Sequence, residues 1–465
     1  MTEPTTPHKT VTELTCFKAY DIRGRLGDNL DEDIARVIGQ GFAVALGAKR
    51  VVLGRDIRAS SESLAAAVAE GLVAQGVEVL DLGLSGTEEM YFATTHLKAD
   101  GGICVTASHN PLDYNGMKMV KAGSAPLDPA TELGRVKELA EAGGFTPAAV
   151  RGRVVAADGA REAYVARVMS FVDVSALKPL KILVNAGNGA AGPTFDALFA
   201  ALEAAGAPLD VVRLHHAPDG SFPNGIPNPL LPENQPVTAQ AVVAAGADIG
   251  IAWDGDFDRC FLFDEHGAFI PGEYVVGLLA EAFLAKEPGA KIVHDPRVVW
   301  NTHDVVGRAG GEAVQSRTGH AFIKQVMRET QAVYGGEMSA HHYFRDFVAC
   351  DSGMIPWLLV VELMGRKGAA LSALVDARRQ AFPSSGEINF RVDDVTAAVA
   401  RVEAAFAASA VSRDDTDGLS LAYPDWRLNL RASNTEPLLR LNVEARGDEG
   451  LVAAKVAQIR TLIAG

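Results

Sequence analysis

The chain has 465 residues, 48% of them hydrophobic and 22% charged, a composition typical of soluble globular domains and not of disordered segments. A formal net charge of −15 disfavours general nucleic-acid binding, although cations in a cleft can still attract a small anion. No apolar run approaches the roughly 18 residues of a membrane span, and residues 1–24 lack the apolar core of a signal peptide. We therefore expect a cytoplasmic protein with neither a membrane nor a nucleic acid as partner.

Three segments repeat one pattern: an apolar strand, a polar or glycine-rich loop, and an alanine-rich amphipathic helix. They read "RVVLGRDIRASSESLAAAVAEGL" from residue 50, "LKILVNAGNGAAGPTFDALFAAL" from residue 180 and "AKIVHDPRVVWNTHDVVGRAG" from residue 290. Alternating strand and helix signals of this kind are typical of α/β layers. The repetition predicts three related mixed α/β domains.

The C-terminal region has a different pattern, in which strand and helix signals follow the order β-α-β-β-β-α. This order predicts a smaller α+β domain with an antiparallel sheet. The predicted fold class is therefore α/β, with three related domains and a C-terminal α+β domain. The predicted domains are residues 1–153, 154–257, 258–372 and 373–465.

The segment "CVTASHNPLDYNGMKM", residues 104–119, follows an apolar strand. It places Ser108 and His109 together at the end of that strand, with Lys118 ten residues after the serine. Ser108 is either a nucleophile or phosphate carrier in a prepared pocket, or part of an ordinary polar turn. The segment alone leaves both interpretations open.

The segment "IGIAWDGDFDRCF" places Asp254, Asp256 and Asp258 at alternate positions after a predicted strand. Carboxylates this close repel one another unless a cation or solvent compensates. Oxygen ligands at a strand end suit Mg²⁺, which would keep positions open for phosphate or water. Arg259 stands where a calcium-binding EF-hand loop requires glycine, so that alternative is disfavoured, whereas a solvated acidic turn stays open.

Two later loops carry groups suited to a sugar phosphate. In "LRASNTEPLLR", an arginine fork and loop hydroxyls can bind phosphate oxygens, although a hairpin turn with an exposed arginine is the alternative. In "YGGEMSAHHYF", a carboxylate and a hydroxyl can orient sugar hydroxyls, although its histidines can equally be structural. Because the four loops fall in successive predicted domains, we expect one central cleft lined by all of them. The candidates are Glu337, Ser339, His341, Arg431, Ser433, Asn434 and Thr435, with Tyr20, Arg23, Arg297 and His320 as weaker ones.

The motifs "TASHNP", "DGDFDR", "GEMSAH" and "RASNTEP", in this order over the full length, resemble those of the α-D-phosphohexomutase family. The resemblance implies four domains around a deep cleft, with a mobile last domain. It implies that Ser108 is phosphorylated in the active enzyme and is a metal ligand together with the three aspartates, which hold Mg²⁺. It also implies roles for the other two loops: Glu337 and Ser339 bind sugar hydroxyls, and Arg431, Ser433, Asn434 and Thr435 bind the phosphate that is not transferred.

The family reaction moves phosphate between the 6- and 1-positions of a hexose through a hexose 1,6-bisphosphate, which also serves as activator. The wording "GEMSAHHYFRDF" and the start "AYDIRG" resemble the bacterial branch that acts on mannose phosphates, in part also on glucose phosphates. We expect Arg23 and Arg259 to stabilise the transferred phosphoryl group, with Lys118 as first candidate for general base and His109 and His341 next.

The expected ligand is a small sugar phosphate, and the protein is expected to be a monomer or homodimer. Three alternatives stay open. They are a mutase selective for glucose or glucosamine phosphates, a metal-dependent sugar phosphatase, and a non-enzymatic sensor of sugar phosphates.

Overall fold

The structure is a computed structural model that describes residues 13–432 and 438–465. Within these ranges the strands form four sheets, each flanked by helices. Three sheets mix parallel and antiparallel strands, and the fourth is antiparallel throughout. This arrangement confirms the predicted fold class. Over the same ranges, none of the helices has the length and apolar character needed to cross a lipid bilayer.

The first sheet has the strand order β1-β5-β4-β2-β3-β7, with β6 beside β5. The strands β2, β3, β4 and β7 are parallel, whereas β5 runs antiparallel to β4 and carries β1 on its outer side. The elements are β1 (Ile22–Arg25), α1 (Glu32–Leu46), β2 (Arg50–Arg55), α2 (Ser61–Ala74), β3 (Glu78–Leu84), α3 (Thr87–His96), β4 (Gly101–Val105), β5 (Tyr114–Lys121), β6 (Ala125–Pro126), α4 (Gly134–Ala142) and β7 (Arg153–Ala156).

The second sheet has the order β12-β11-β10-β8-β9, with β10 parallel to β8 and antiparallel to β11. It continues through β11 and β12, beyond residue 257, where the sequence places a domain boundary. The elements are α5 (Ala160–Met169), β8 (Leu180–Asn185), α6 (Ala191–Ala204), β9 (Leu209–Leu214), α7 (Gln235–Ala245), β10 (Ile249–Trp253), β11 (Cys260–Asp264) and β12 (Phe269–Ile270).

The third sheet has the order β14-β13-β15-β16-β17, of which the first three strands are parallel. The helices α8 and α11, which flank it, are largely buried. The elements are α8 (Gly272–Lys286), β13 (Lys291–His294), α9 (Trp300–Arg308), β14 (Glu312–Gln315), α10 (His320–Thr330), β15 (Tyr334–Gly336), β16 (His342–Phe344), β17 (Cys350–Asp351), α11 (Met354–Lys367) and α12 (Leu371–Ala381).

The fourth sheet has the order β18-β22-β21-β20-β19 and packs against two helices. The predicted order β-α-β-β-β-α is confirmed, apart from one additional short edge strand, β19. The elements are β18 (Ile388–Arg391), α13 (Val395–Phe406), β19 (Ser412–Asp414), β20 (Leu419–Ala422), β21 (Trp426–Ala432), β22 (Leu438–Ala445) and α14 (Glu449–Ala464).

Two separate hydrophobic cores matter for the site. One core runs from Val52 to Val375 and joins side chains of the first three sheets and their helices. The fourth sheet has a core of its own, made of residues between Ala398 and Ile463. We call each sheet with its flanking helices a unit. The first three units share one core that can hold their loops in fixed relative positions, whereas the fourth unit is stabilised by its own core.

Candidate active site

Three of the predicted loops lie directly after strands of three different sheets. Ser108 follows β4, the aspartates follow β10, and residues 337–341 follow β15. Each loop contains a non-glycine residue in the left-handed backbone region: Ser108 at φ 50°, Phe257 at φ 47° and Ala340 at φ 69°. Such conformations cost free energy and recur at functional loops, because they aim side chains in directions that ordinary turns do not reach.

The serine loop and the aspartate loop are in direct contact. Ser108 Oγ donates to Asp254 Oδ2 at 2.5 Å, and it lies 2.9 Å from His109 Nδ1. A Cβ atom on Gly255 would lie 2.5 Å from the carbonyl oxygen of Ser108, so this close approach requires glycine. Ser108 is only 2% exposed. The predicted nucleophile therefore sits inside the site and touches the predicted metal loop.

His109 lies between Ser108 and a guanidinium group. Arg259 NH2 is 3.2 Å from His109 Nδ1, and Arg259 Nε is 3.6 Å from Asp254 Oδ2. Partial burial, together with the charge of Arg259, lowers the pKa of His109 below its ordinary value. The imidazole is therefore neutral at neutral pH and next to the hydroxyl of Ser108.

The three aspartates form a buried carboxylate cluster. Their nearest ligand oxygens all lie within 4.8 Å of one another. Asp256 Oδ1 and Asp258 Oδ1 are buried and have no hydrogen-bond partner among the described residues. Orphaned buried carboxylate oxygens are costly unless a cation is present, and oxygen-only donor sets suit hard divalent ions. The cluster therefore fits a divalent metal ion such as Mg²⁺.

Lys118 supplies positive charge to this cluster in the structure. Its Nζ donates to Asp256 Oδ2 at 2.8 Å and also contacts Asp258 Oδ2. Burial by itself would lower the pKa of Lys118, but the carboxylates of Asp256 and Asp258 outweigh it and raise that pKa. The pairing thus favours the charged form of Lys118, whereas a general base must be neutral before it accepts a proton.

A second polar group adjoins the aspartates from the third sheet. His341 Nδ1 lies 2.9 Å from Asp351 Oδ2 and 4.0 Å from Asp258 Oδ1. Lys324 Nζ pairs with Asp351 Oδ1 at 2.6 Å and lies 3.9 Å from the centre of the Tyr91 ring. His341, the third candidate for general base, is therefore near the aspartate loop but does not contact Ser108.

The predicted sugar loop presents a carboxylate and a hydroxyl beside Arg297. Glu337 accepts from the backbone N–H of Gly319 at 2.9 Å and from the Tyr343 hydroxyl at 2.5 Å. Arg297 NH2 is 3.7 Å from Glu337 Oε1 and 3.3 Å from Ser339 Oγ. These contacts hold Glu337 and Ser339 in place, and a fixed carboxylate and hydroxyl can orient the hydroxyl groups of a ligand.

The predicted phosphate loop is described only in part. Arg431 is at the end of β21, where its NH2 group pairs with Glu387 Oε2 at 2.9 Å. Arg297 NH1 lies 3.4 Å from the same carboxylate, and this contact joins the loop after β13 to the segment before β18. Ser433, Asn434 and Thr435 lie outside the described residues, so their predicted role stays a prediction.

The remaining candidates are Arg23, Tyr20 and His320. Arg23 donates from NH1 to the carbonyl oxygen of Thr106 at 2.7 Å, which places its guanidinium beside the strand that leads to Ser108. The Tyr20 ring packs edge-on against the His320 ring, with centroids 6.0 Å apart. Tyr20 therefore links the first unit to the third, close to the sugar loop.

Sequence reasoning missed three buried or half-buried residues of the site: Thr87, Asp351 and Glu387. Thr87 begins α3 directly after a glycine, and such a strand-glycine-helix start is a signal that could have marked it. Asp351 interrupts the apolar run "FVACDSGMIPW", and a carboxylate inside an apolar run is itself a warning. Glu387 has no local signal, because its importance depends on arginines that are distant along the chain.

Comparison with known proteins agrees with this arrangement. Family models of phosphoglucomutase/phosphomannomutase match in chain order: alpha/beta/alpha domain I at residues 15–144, domain II at 162–267, domain III at 271–382 and the C-terminal domain at 387–462. The chain is 60% identical to a phosphomannomutase of Salmonella montevideo over 457 residues, which cover 97% of this chain and 100% of the relative. It is 58% identical to a phosphomannomutase of Escherichia coli K12 over 453 residues, 97% of this chain and 99% of the relative.

A solved structure extends the likeness to three dimensions. A phosphoglucomutase/phosphomannomutase family protein from Burkholderia thailandensis superposes with a TM-score of 0.86 at 35% identity, over 97% of each chain. Four family models, full-length relatives and a shared fold thus agree with the loops described above. The chain belongs to the phosphoglucomutase/phosphomannomutase family.

Proposed function

We propose that this enzyme interconverts mannose 6-phosphate and mannose 1-phosphate, with Ser108 as a reversible phosphate carrier. The observation that carries the proposal is the 2.5 Å hydrogen bond from Ser108 Oγ to Asp254, in which a buried hydroxyl touches a carboxylate cluster suited to a divalent cation. Phosphoryl transfer depends mainly on positioning and charge neutralisation, and this contact supports both. The names of the relatives support mannose phosphate as substrate.

The metal and the cationic side chains have separate roles in the proposal. Asp254, Asp256 and Asp258 would hold Mg²⁺, which when bound neutralises charge on the phosphoryl oxygens. Arg259 contacts His109, and Arg23 contacts the carbonyl oxygen of Thr106, so both guanidinium groups adjoin the serine loop. There they would stabilise the negative charge of the group in transfer.

The attacking hydroxyl of the sugar must lose its proton. Lys118 is the proposed general base, with His109 and His341 as the other candidates. Lys118 is buried beside the cluster, and competition of a cation for Asp256 and Asp258 would weaken the pairing that keeps it charged. His109 is neutral and contacts Ser108 Oγ directly, so it is the alternative that the geometry favours.

The sugar must bind in two opposite orientations. The first half-reaction gives a hexose 1,6-bisphosphate, and the second returns the other phosphate to Ser108. Glu337 and Ser339 are proposed to hold the hydroxyls at the 3- and 4-positions in both orientations. Because these hydroxyls are common to mannose and glucose, we propose that glucose phosphates are accepted as well. The distal phosphate would be held by Arg431 with Ser433, Asn434 and Thr435.

A coupled assay tests the proposal. The protein is given mannose 1-phosphate or glucose 1-phosphate, with Mg²⁺ and a trace of glucose 1,6-bisphosphate, and formation of the 6-phosphate is followed together with inorganic phosphate. We expect isomerisation that requires Mg²⁺, is stimulated by the bisphosphate and releases almost no inorganic phosphate. Release of phosphate without isomerisation would instead identify a metal-dependent sugar phosphatase.

A further inference from the structure

Glu387 lies among three arginines that come from two sheets. Its carboxylate is 2.9 Å from Arg431 NH2, 3.4 Å from Arg297 NH1 and 3.6 Å from Arg440 NH1. Arg431 and Arg440 are directly opposite each other on β21 and β22, an arrangement that repels unless an anion lies between them. We call these three arginines the arginine cluster. Among the described residues, Glu387 is an anion that all three arginines approach.

Among the described residues, the carboxylates around the cluster match its arginines in number. Arg297 is bound by both oxygens of Asp295, at 3.0 and 2.9 Å, and Glu337 approaches it at 3.7 Å. With Glu387, three carboxylates of residues 13–432 and 438–465 therefore face the three guanidinium groups. Because Arg297 and Arg431 are 4% and 7% exposed, water screens these charges poorly.

A phosphate dianion added to these three carboxylates and three guanidinium groups would give them a net charge of about −2. Glu387 is the carboxylate that competes with it most directly, since it uses the NH2 group of Arg431 and the NH1 group of Arg297. Asp295, in contrast, is held by the Nε and NH2 groups of Arg297 and by the backbone N–H of Met338. The ligand and Glu387 therefore compete for the same donors.

We propose that Glu387 is a resident counterion that competes with phosphate for the arginine cluster and so weakens its hold on the phosphate that is not transferred. The inference rests on the proposed function, in which a hexose bisphosphate must leave this contact and rebind in the opposite orientation between half-reactions. A cluster without a competing carboxylate would hold the bisphosphate more tightly and slow its release and rebinding. Glu387 thus sets affinity and release for the mutase reaction.

The test is calorimetric titration of the full chain with inorganic phosphate, in a Ser108→Ala background so that the serine carries none. Glu387→Gln removes the competing charge with almost no change in shape, and we expect it to bind phosphate about tenfold more tightly at low salt. Asp393→Asn removes the same charge at a nearby exposed position and should leave the affinity unchanged. Unchanged or weaker binding by Glu387→Gln would overturn the inference.

Two further variants assign the effect to the cluster. The second test adds Glu387→Gln to the single variant Arg431→Gln and compares the phosphate affinity of the two proteins. The gain should disappear in this comparison, because Arg431 is the closest partner of the carboxylate. A gain that persists in the double variant would contradict the assignment. If Glu387→Gln does not fold, Glu387→Asp retracts the charge by one methylene, and we expect about threefold tighter binding.

The titration needs no turnover, so it separates this inference from the proposed function. Tighter phosphate binding by Glu387→Gln, together with a wild-type protein that does not isomerise mannose 1-phosphate, would refute the mutase and leave the competition intact. An active wild-type mutase with no change in phosphate affinity would refute only the competition. In the active enzyme with Ser108 intact, Glu387→Gln should lower the KM and the kcat together.

Discussion

Thr87 donates from Oγ1 to Asp256 Oδ2 at 2.6 Å, although 169 positions separate the two residues along the chain. The backbone N–H of Thr87 also donates to the carbonyl oxygen of Asp256, at 3.2 Å. The first residue of α3 in the first unit therefore fixes both the backbone and the side chain of the central aspartate in the second. Outer-shell partners of this kind orient metal ligands and tune their affinity.

Thr87→Val should weaken the affinity for Mg²⁺ without removing a metal ligand. The valine has the same shape but no hydroxyl, so Asp256 loses one of the two donors on Oδ2 and is less well oriented. We expect the Mg²⁺ concentration for half-maximal turnover to rise about tenfold. Thr87→Ser restores the donor and should restore the wild-type value, whereas Thr461→Val, on an exposed helix face, should have no effect. A Thr87→Val enzyme with wild-type Mg²⁺ dependence would contradict the positioning role.

Ser108→Ala should abolish both turnover and the phosphate carried by the protein. Mass spectrometry of fresh wild-type protein is expected to show one added phosphate on the peptide that contains Ser108, and the variant should lack it. The control is Ser170→Ala, at an exposed serine that bonds only to a neighbouring carbonyl oxygen. Phosphate that stays on the Ser108→Ala protein would place the carrier elsewhere.

Asp256→Asn should reduce turnover by at least about 100-fold and shift its Mg²⁺ dependence to higher concentration, because an amide is a weak ligand for a hard cation. Rates measured over a series of Mg²⁺ concentrations check both effects. Asp210→Asn removes the same charge from an exposed position and should behave like wild type. Intact turnover with intact metal dependence in Asp256→Asn would show that the aspartate loop is not the metal site.

A substitution can distinguish whether Lys118 contributes only its positive charge or also accepts a proton. Lys118→Arg keeps a cation beside Asp256 and Asp258, but a guanidinium group does not give up its proton in proteins. If Lys118 is the general base, Lys118→Arg and Lys118→Ala should both lose about 10²- to 10⁴-fold in kcat. Substantial turnover in the arginine variant would show that Lys118 contributes charge alone and would move the assignment to His109.

A pH effect on stability is expected from Glu88, which is fully buried between three units. Its carboxyl group accepts from the Tyr164 hydroxyl and, at 2.5 Å, from the backbone N–H of Gly353. Burial raises the pKa of Glu88 from an ordinary 4.5 to about 8. Between these values the folded protein holds a proton that the unfolded chain releases, so stability falls as the pH rises from 4.5 towards 8.

Glu88→Gln keeps this position neutral at every pH and should remove the loss of stability that Glu88 causes as the pH rises. We expect the wild-type melting temperature to fall by ~5 °C relative to Glu88→Gln between pH 5 and pH 8. Glu233→Gln, an exposed control, should follow the wild type across the range. Parallel pH profiles for the wild type and Glu88→Gln would show that Glu88 is ionised in the folded protein.

Local patterns were sufficient to predict the repeated units and the loops that meet in the candidate site. The strands before Ser108 and Asp254 are apolar runs that end in polar residues, and each proved to end in the same site. Side-chain contacts between different units could not be predicted from these local patterns. The bond from Thr87 to Asp256 and the sharing of Glu387 by the arginine cluster depend on how separate sheets dock, which no short window of sequence encodes.

The division into units could be predicted only coarsely for a related reason. Turn signals after β10 resemble a domain end, but β11 returns antiparallel to the same sheet and extends it to Ile270. A hairpin and a domain boundary both begin with a polar loop after an apolar strand. Strand pairing distinguishes them, and pairing partners are set by three-dimensional packing.

The separate core of the fourth sheet has a thermal consequence. Because its apolar core is separate, this unit can unfold in a step of its own. Such a partial melt would carry away Arg431 and Arg440, while Ser108 and the aspartates stay joined through the larger core. If this step came first on heating, the protein would lose the arginines proposed to bind the distal phosphate and regain them on cooling, while the contact between Ser108 and Asp254 persisted.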